Sequence, residues 1–278
     1  MPNRLLNRFF WLLLLSALVN ANAYAELDDD DAYVELGAGI SGIRVPHYAG
    51  SNEYRTLGVP FPYLVYETRK VSLNRDGLRR HLYYSDTWDI DLSFAARFPV
   101  GDENKARTAM PDLDWVGLGG PSINYKLIND EQERLTLMLP LHGAIVTDFR
   151  YLDSIGWEAA PGIKWESLWE ANDVRWSVLA SANSFYASRE FNGYYYDVAA
   201  EYATPERPVY SSQAGHAGHQ AMFGFTRREG KFWFGAFIRY RSVKNATFAE
   251  SPLVTAQDNE YVGVAFAYIL SREKLDRD

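Results

Sequence analysis

Cysteine is missing from all 278 residues. Its absence rules out disulfide staples, thiol nucleophiles, thiolate metal sites and a lipid-modified N-terminal cysteine. Histidine, the one neutral-pH base, occurs only five times. Basic residues number 28 against 36 acidic ones, and the formal net charge of -8 argues against nucleic acid, whose phosphates demand a basic surface. After residue 25 no apolar run approaches the ~20 residues that a membrane-spanning helix needs. There is no glycine-rich phosphate loop, no nucleophile elbow and no clustered metal-ligand spacing. No catalytic residue, cofactor site or metal site is expected, and the chain is not expected to be an enzyme.

The N-terminus carries an address. Arg4 and Arg8 precede an apolar run, Phe9 to Val19, broken only by Ser16, and Ala23-Tyr24-Ala25 is a small-x-small cleavage site. Together they predict a secretory signal peptide over residues 1–25, removed after Ala25. The remainder, residues 26–278, is long enough for one large β domain, and losing Arg4 and Arg8 moves its net charge from -8 to -10. Asp28 to Asp31 could bind a hard divalent cation, but such a run is more often a solvated leader, the reading preferred here. Aromatic residues make up 15% of the chain, which suits a lipid-facing barrel, because only its outer face must be apolar.

The hydrophobic period is two. Val34, Leu36, Ala38 and Ile40 alternate with Glu35, Gly37, Gly39 and Ser41; Trp88, Ile90, Leu92 and Phe94 alternate with Asp89, Asp91, Ser93 and Ala95; Val262, Val264, Phe266 and Tyr268 do the same near the end. The pattern predicts an all-β fold, a closed antiparallel transmembrane β-barrel, with strands at 33–43, 60–68, 70–83, 88–98, 115–127, 134–146, 156–166, 173–184, 189–197, 214–227, 231–241 and 260–270. That is twelve, an even count as single-chain bacterial barrels require. Asn74-Arg75-Asp76-Gly77 could be a hairpin turn that splits 70–83; a bulge at Gly77 in one long strand is preferred. Arg97, Arg134, His142, Lys164, Arg175 and Arg239 point inward in this register and would crowd the lumen.

Catalytic constellations fare poorly. His216 and His219, three apart on a strand, point to opposite faces. His142 faces the lumen, but its same-face neighbour is Ala144 rather than a serine. His47 and His81 fall in or near connections. Asp89 and Asp91 share an inward face and could form a catalytic pair; pairing with Arg97 or Arg134 in a lumen salt-bridge network is the preferred use.

Five segments resemble the MipA/OmpV family of MltA-interacting outer-membrane proteins. They are Gly37-Ala38-Gly39 followed by Pro46-His47-Tyr48-Ala49-Gly50-Ser51; Val59-Pro60-Phe61-Pro62-Tyr63-Leu64; Asn104 to Leu113 with Gly119-Gly120-Pro121; Gly156-Trp157 with Pro161-Gly162; and Ser251-Pro252-Leu253-Val254 before Tyr261-Val262-Gly263-Val264. The resemblance implies a barrel in the cell outer membrane, in contact with its lipid. It also implies a non-enzymatic scaffold holding a lytic transglycosylase near a penicillin-binding murein synthase. The alternative is an outer-membrane pore or stress-response porin for small polar solutes. One departure is the end of the chain: Tyr268 is followed by Ile269, Leu270 and a polar tail rather than closing on an aromatic residue.

With both termini periplasmic, the twelve-strand list puts 44–59, 198–213 and 242–259 outside and leaves 99–114 as an unusually long periplasmic connection. Long loops are usually functional or disordered. Arg107, Met110, Pro111, Asp112 and Leu113 are therefore the candidate partner-binding residues: Pro111 holds Met110 extended, presenting Met110 and Leu113 as apolar anchors. The competing reading has Arg107 and Asp112 pair with rim residues and plug the mouth.

Overall fold

The alternation becomes strand at every expected segment except 189–197. The computed structural model describes residues 32–68, 71–74 and 77–274, so the expected signal peptide and the Asp28–Asp31 leader lie outside the described residues. Thirteen strands occur among the described residues: β1 Tyr33–Pro46, β2 Tyr54–Glu67, β3 Val71–Asn74, β4 Gly77–Tyr84, β5 Trp88–Arg97, β6 Trp115–Asn129, β7 Glu133–Thr147, β8 Asp153–Ala159, β9 Gly162–Ala171, β10 Val174–Ala187, β11 Gly215–Glu229, β12 Phe232–Ser242 and β13 Asp258–Lys274. Among the described residues one α-helix, α1, spans Arg189–Tyr196. No described helix is long and apolar enough to cross a membrane.

The sheet closes on itself. Apart from β8 and β9, each strand pairs antiparallel with the next, β10 pairs with β11, and β13 returns to β1 from Tyr33↔Lys274 to Arg44↔Val262. β8 and β9 lie in one course between β7 and β10, so thirteen strands make a ring of twelve staves. The break falls at Pro161, which has no N–H to give the ladder. Its carbonyl still accepts from Ser184 N at 2.9 Å.

Two expected strands are different elements. Residues 71–74 and 77–84 form a hairpin, β3 and β4, paired Val71↔Arg80 to Asn74↔Gly77, in place of one long strand bulged at Gly77. Residues 189–197 are helix α1, opened by Ser188, whose hydroxyl accepts from Phe191 N at 3.2 Å. The errors cancel in the count and not in the topology. The added hairpin reverses the direction of every stave up to the helix, so residues 98–114 lie at the same end as 47–53, 188–214 and 243–257, not opposite them. Short turns occupy the other end. At Asn172 and Asp173 both φ values are positive, 52° and 61°, as a two-residue type I′ hairpin requires.

Side chains sort by face. On β13, Val262, Val264, Phe266, Tyr268 and Leu270 are exposed while Ala265, Ala267 and Ile269 are buried. Outward aromatics gather in two belts: Trp88, Trp169, Trp176, Phe232 and Tyr268 toward the turn end, and Trp157, Tyr186 and Tyr240 toward the loop end. Trp169 and Trp176 stack across the β9–β10 pair with planes 9° apart. From Trp176 to Tyr186 is ~33 Å of strand, or about 25 Å of height once tilted, the height of a lipid-facing band. Leu139, outward at the middle of β7, is expected to tolerate no charge: Leu139→Arg should cost about 2–4 kcal/mol. Denaturant unfolding from lipid vesicles measures it, and an unchanged midpoint would mean this face never meets lipid.

Candidate functional site

Four connections at the loop end fold inward and pack on one another. α1 sits at their centre. Its Tyr196 stacks on Phe248 at 3.6 Å with planes 9° apart, and the Tyr196 hydroxyl donates to Ala49 O at 2.7 Å. Ser251 Oγ donates to Tyr196 O, and Tyr48 Oη to Leu253 O at 2.8 Å. Burial pushes the Tyr48 hydroxyl up to about 12, so it stays a donor. Val100, Leu113, Phe191, Tyr195, Val243 and Phe248 complete one continuous apolar cluster with inward residues of the staves. The mouth is corked from within.

The segment singled out from sequence is part of this cork. Arg107 is buried, and its guanidinium donates to Tyr195 O at 3.0 Å and to Pro111 O at 3.1 Å, clamping α1 to its own loop. Leu113 is 1% exposed and pairs with Val100 in a two-residue bridge, so it cannot serve as a surface anchor. Pro111 and Asp112 are exposed and Met110 half-buried. Arg207 donates to Ala106 O and Thr108 O, tying the segment to the connection after α1. Expected anchors are thus split: Arg107 and Leu113 hold the plug together, while Met110, Pro111 and Asp112 lie toward its surface.

Segments far apart in sequence meet here. Gly156, with φ of 95°, gives a Cβ no room: it would stand 2.0 Å from Ser188 Oγ, the cap of α1. Ser188 N then donates to Trp157 O at 3.0 Å. Gly50 N donates to Asn259 Oδ1, and Asn259 Nδ2 returns to Ser51 O, joining the first connection to the last strand.

His47 is expected to make the plug pH-sensitive. Asn104 Nδ2 donates to its Nδ1 at 3.1 Å, which demands the unprotonated nitrogen. Burial first, and Arg55 second, lower its pKa from the ordinary 6.5, with Glu103 and Glu53 opposing. The folded state therefore favours the neutral ring. This stabilisation is present above pH 6.5 and is lost as pH falls from there through the lowered folded value. Hydrogen-exchange protection factors of the Asn104 to Arg107 amides, referred to the intrinsic rate at each pH, should fall between pH 7.5 and 5 in the wild type and stay flat in His47→Gln. An equal fall in both would clear His47.

Below the plug the lumen carries polar pairs. Ser93 Oγ and His142 Nε2 lie 2.8 Å apart. The expectation of no serine beside His142 missed this, because Ser93 comes from β5, two staves away, and strand neighbours show only the same-strand face. Glu158, the register partner of His142, is engaged by Arg97. Asp89 and Asp91 do not meet Arg97 or Arg134 as expected. Asp89 takes His81 at 2.8 Å, and Asp91 takes Arg79 at 3.5 Å and Asn124 Nδ2 at 2.9 Å. The ligand atoms of His81, Asp89 and Asp91 all lie within 4.8 Å of one another and could hold a cation, with Arg79 as the competing counter-charge. His216 and His219 are not on opposite faces: a bulge at Gly218, with φ of 108°, brings their rings to 4.4 Å.

A family profile described as "MltA-interacting protein MipA" matches residues 38–270. No curated protein matches the chain. Among solved structures, a bacterial polysaccharide outer membrane secretin aligns at 9% identity and a TM-score of 0.39, over 88% of this chain and 100% of that one. LpxR from Salmonella typhimurium aligns at 7% and 0.35, over 84% and 100%. The CymD monoaromatic hydrocarbon channel aligns at 8% and 0.34, over 94% and 99%. Scores this low leave the chemistry of those proteins with no bearing on this one.

Proposed function

Because the chain belongs to the family of the MltA-interacting protein MipA and is an outer-membrane barrel, we propose that it is a non-enzymatic scaffold. It anchors a lytic transglycosylase and a penicillin-binding murein synthase at the inner face of the outer membrane. The observation that carries this reading over a pore is the plug: four connections cork the loop end with packed apolar side chains. The turn end is filled as well. Phe61, Tyr63, Val65, Trp233 and Ile269 pack inside it around Glu35, which holds Arg228 and Arg272. Export uses residues 1–25 as a cleaved signal peptide, and the exported protein should begin at Glu26.

With the termini periplasmic, residues 98–114 face away from the murein, and partners meet the turn end. That rim exposes Asp86, Asp130, Glu131 and Asp173. Pulldown from detergent-solubilised envelope tests the reading. The wild type should retain both enzyme classes, an Asp130→Ser, Glu131→Ser, Asp173→Ser variant should retain less, and a Met110→Ala, Pro111→Ala, Asp112→Ala variant should match the wild type. A wild-type pulldown free of murein enzymes would end the proposal.

A further inference from the structure

Between the plug and the mid-lumen lies a chamber of about 380 Å³. Its wall carries Arg55, Arg97, Arg239 and Arg241, and among the described residues Glu158 is its only carboxylate. Arg97 pairs with Glu158, and Arg55 with Glu103 at 3.3 Å. Arg239 and Arg241, two apart on β12 and facing inward together, have no carboxylate within ion-pair reach among the described residues. Arg239 reaches only Met222 Sδ at 3.7 Å and the faces of Phe237 and Tyr261. Arg241, 7% exposed, donates to Ala217 O at 3.3 Å and lies 3.8 Å over Phe185. The Nε of each is buried with no partner.

Such an arrangement is costly as it stands. Two guanidiniums of like sign share a confined space, cannot deprotonate, and leave N–H donors unmet. An anion would answer each of these costs. The rest of the wall says what should be attached to it: Phe185, Tyr195, Tyr196 and Phe237 offer apolar and aromatic surface. A cavity of ~150 Å³ holds benzene, so this one has room for a substituted ring. We propose that the chamber binds a small organic anion, a carboxylate or phosphate on a planar apolar body, with Arg239 and Arg241 on the charged group and the aromatic wall on the ring. The site is separate from the scaffold surface and survives or fails independently of it.

The test uses the full exported chain folded in detergent, with benzoate, phenyl phosphate, benzamidine and benzyl alcohol as probes in calorimetric titrations. Benzoate and phenyl phosphate should bind; the cation benzamidine should not, and the neutral alcohol should bind at least tenfold more weakly. Arg239→Met and Arg241→Met, which keep length and remove charge, should each weaken benzoate at least tenfold. Benzamidine or the alcohol binding as tightly as benzoate would overturn the proposal, as would a folded double Met variant of wild-type affinity. Should the variants fail to fold, the four-probe ranking on the wild type decides alone.

Discussion

Phe248→Ala is expected to unseat the plug and open the chamber beneath it to solvent at the loop end. Phe248 is 1% exposed and its ring lies flat on Tyr196 at the centre of the cork. Removing a buried phenyl ring costs about 3–5 kcal/mol, and loops that open locally do so well below the cost of global unfolding. Each ~1.4 kcal/mol is a factor of ten, so the open population should rise by roughly two to three orders of magnitude. The barrel itself should survive, since no stave depends on Phe248. Limited proteolysis should cut within residues 197–213 while the heat-modifiable barrel persists, and planar-bilayer recordings should stay silent because the turn end remains filled. A variant as resistant to protease as the wild type would mean that the cork is held elsewhere.

Trp233→Ala should damage the barrel instead. Trp233 is 1% exposed, points inward near the turn end, and packs against Tyr63 with ring centroids 5.7 Å apart. Tyr63 in turn donates to Glu35, whose carboxylate is fully buried and holds Arg228 at 2.6 Å. The substitution removes ~3–5 kcal/mol of packing and lets water reach the buried Glu35 carboxylate. Urea unfolding from vesicles should show a loss of at least that size. A loss below about 1 kcal/mol would mean that the lower lumen is already wet.

The sequence exposed faces better than topology. Ile40, Trp88, Phe94 and Phe266 fall on the apolar side of their alternations and are exposed, because a strand's alternation is local and survives any arrangement of the staves. The errors arise where a residue's partner is distant. Arg189–Tyr196 is rich in aromatic residues with strand propensity; only Ser188 with Glu190 two residues on hints at a helix start, and tertiary packing on Phe248 decides. Arg107 and Leu113 looked like surface groups because connections usually are, and nothing local says that four connections will meet. His216 and His219 obeyed the parity rule on paper, and the single extra residue, Ala217 beside Gly218, undid it. The side of residues 98–114 turned on whether Asn74-Arg75-Asp76-Gly77 turns or bulges, a choice of a few residues that inverts the address of a whole loop.

The seam between β1 and β13 sets the order of assembly. These strands are separated by more than 200 residues and pair over almost their full length, and the contacts of Gly50 with Asn259 and of Tyr48 with Leu253 bridge the same gap above them. Contacts of such sequence separation form slowly, because their loop-closure entropy must be met before they return anything. A nascent chain can zip β4 through β12 by hairpins and still hold an open edge on each side. Closure waits for the last strand to be made, and in this chain the ring and the cork are completed by the same final segment.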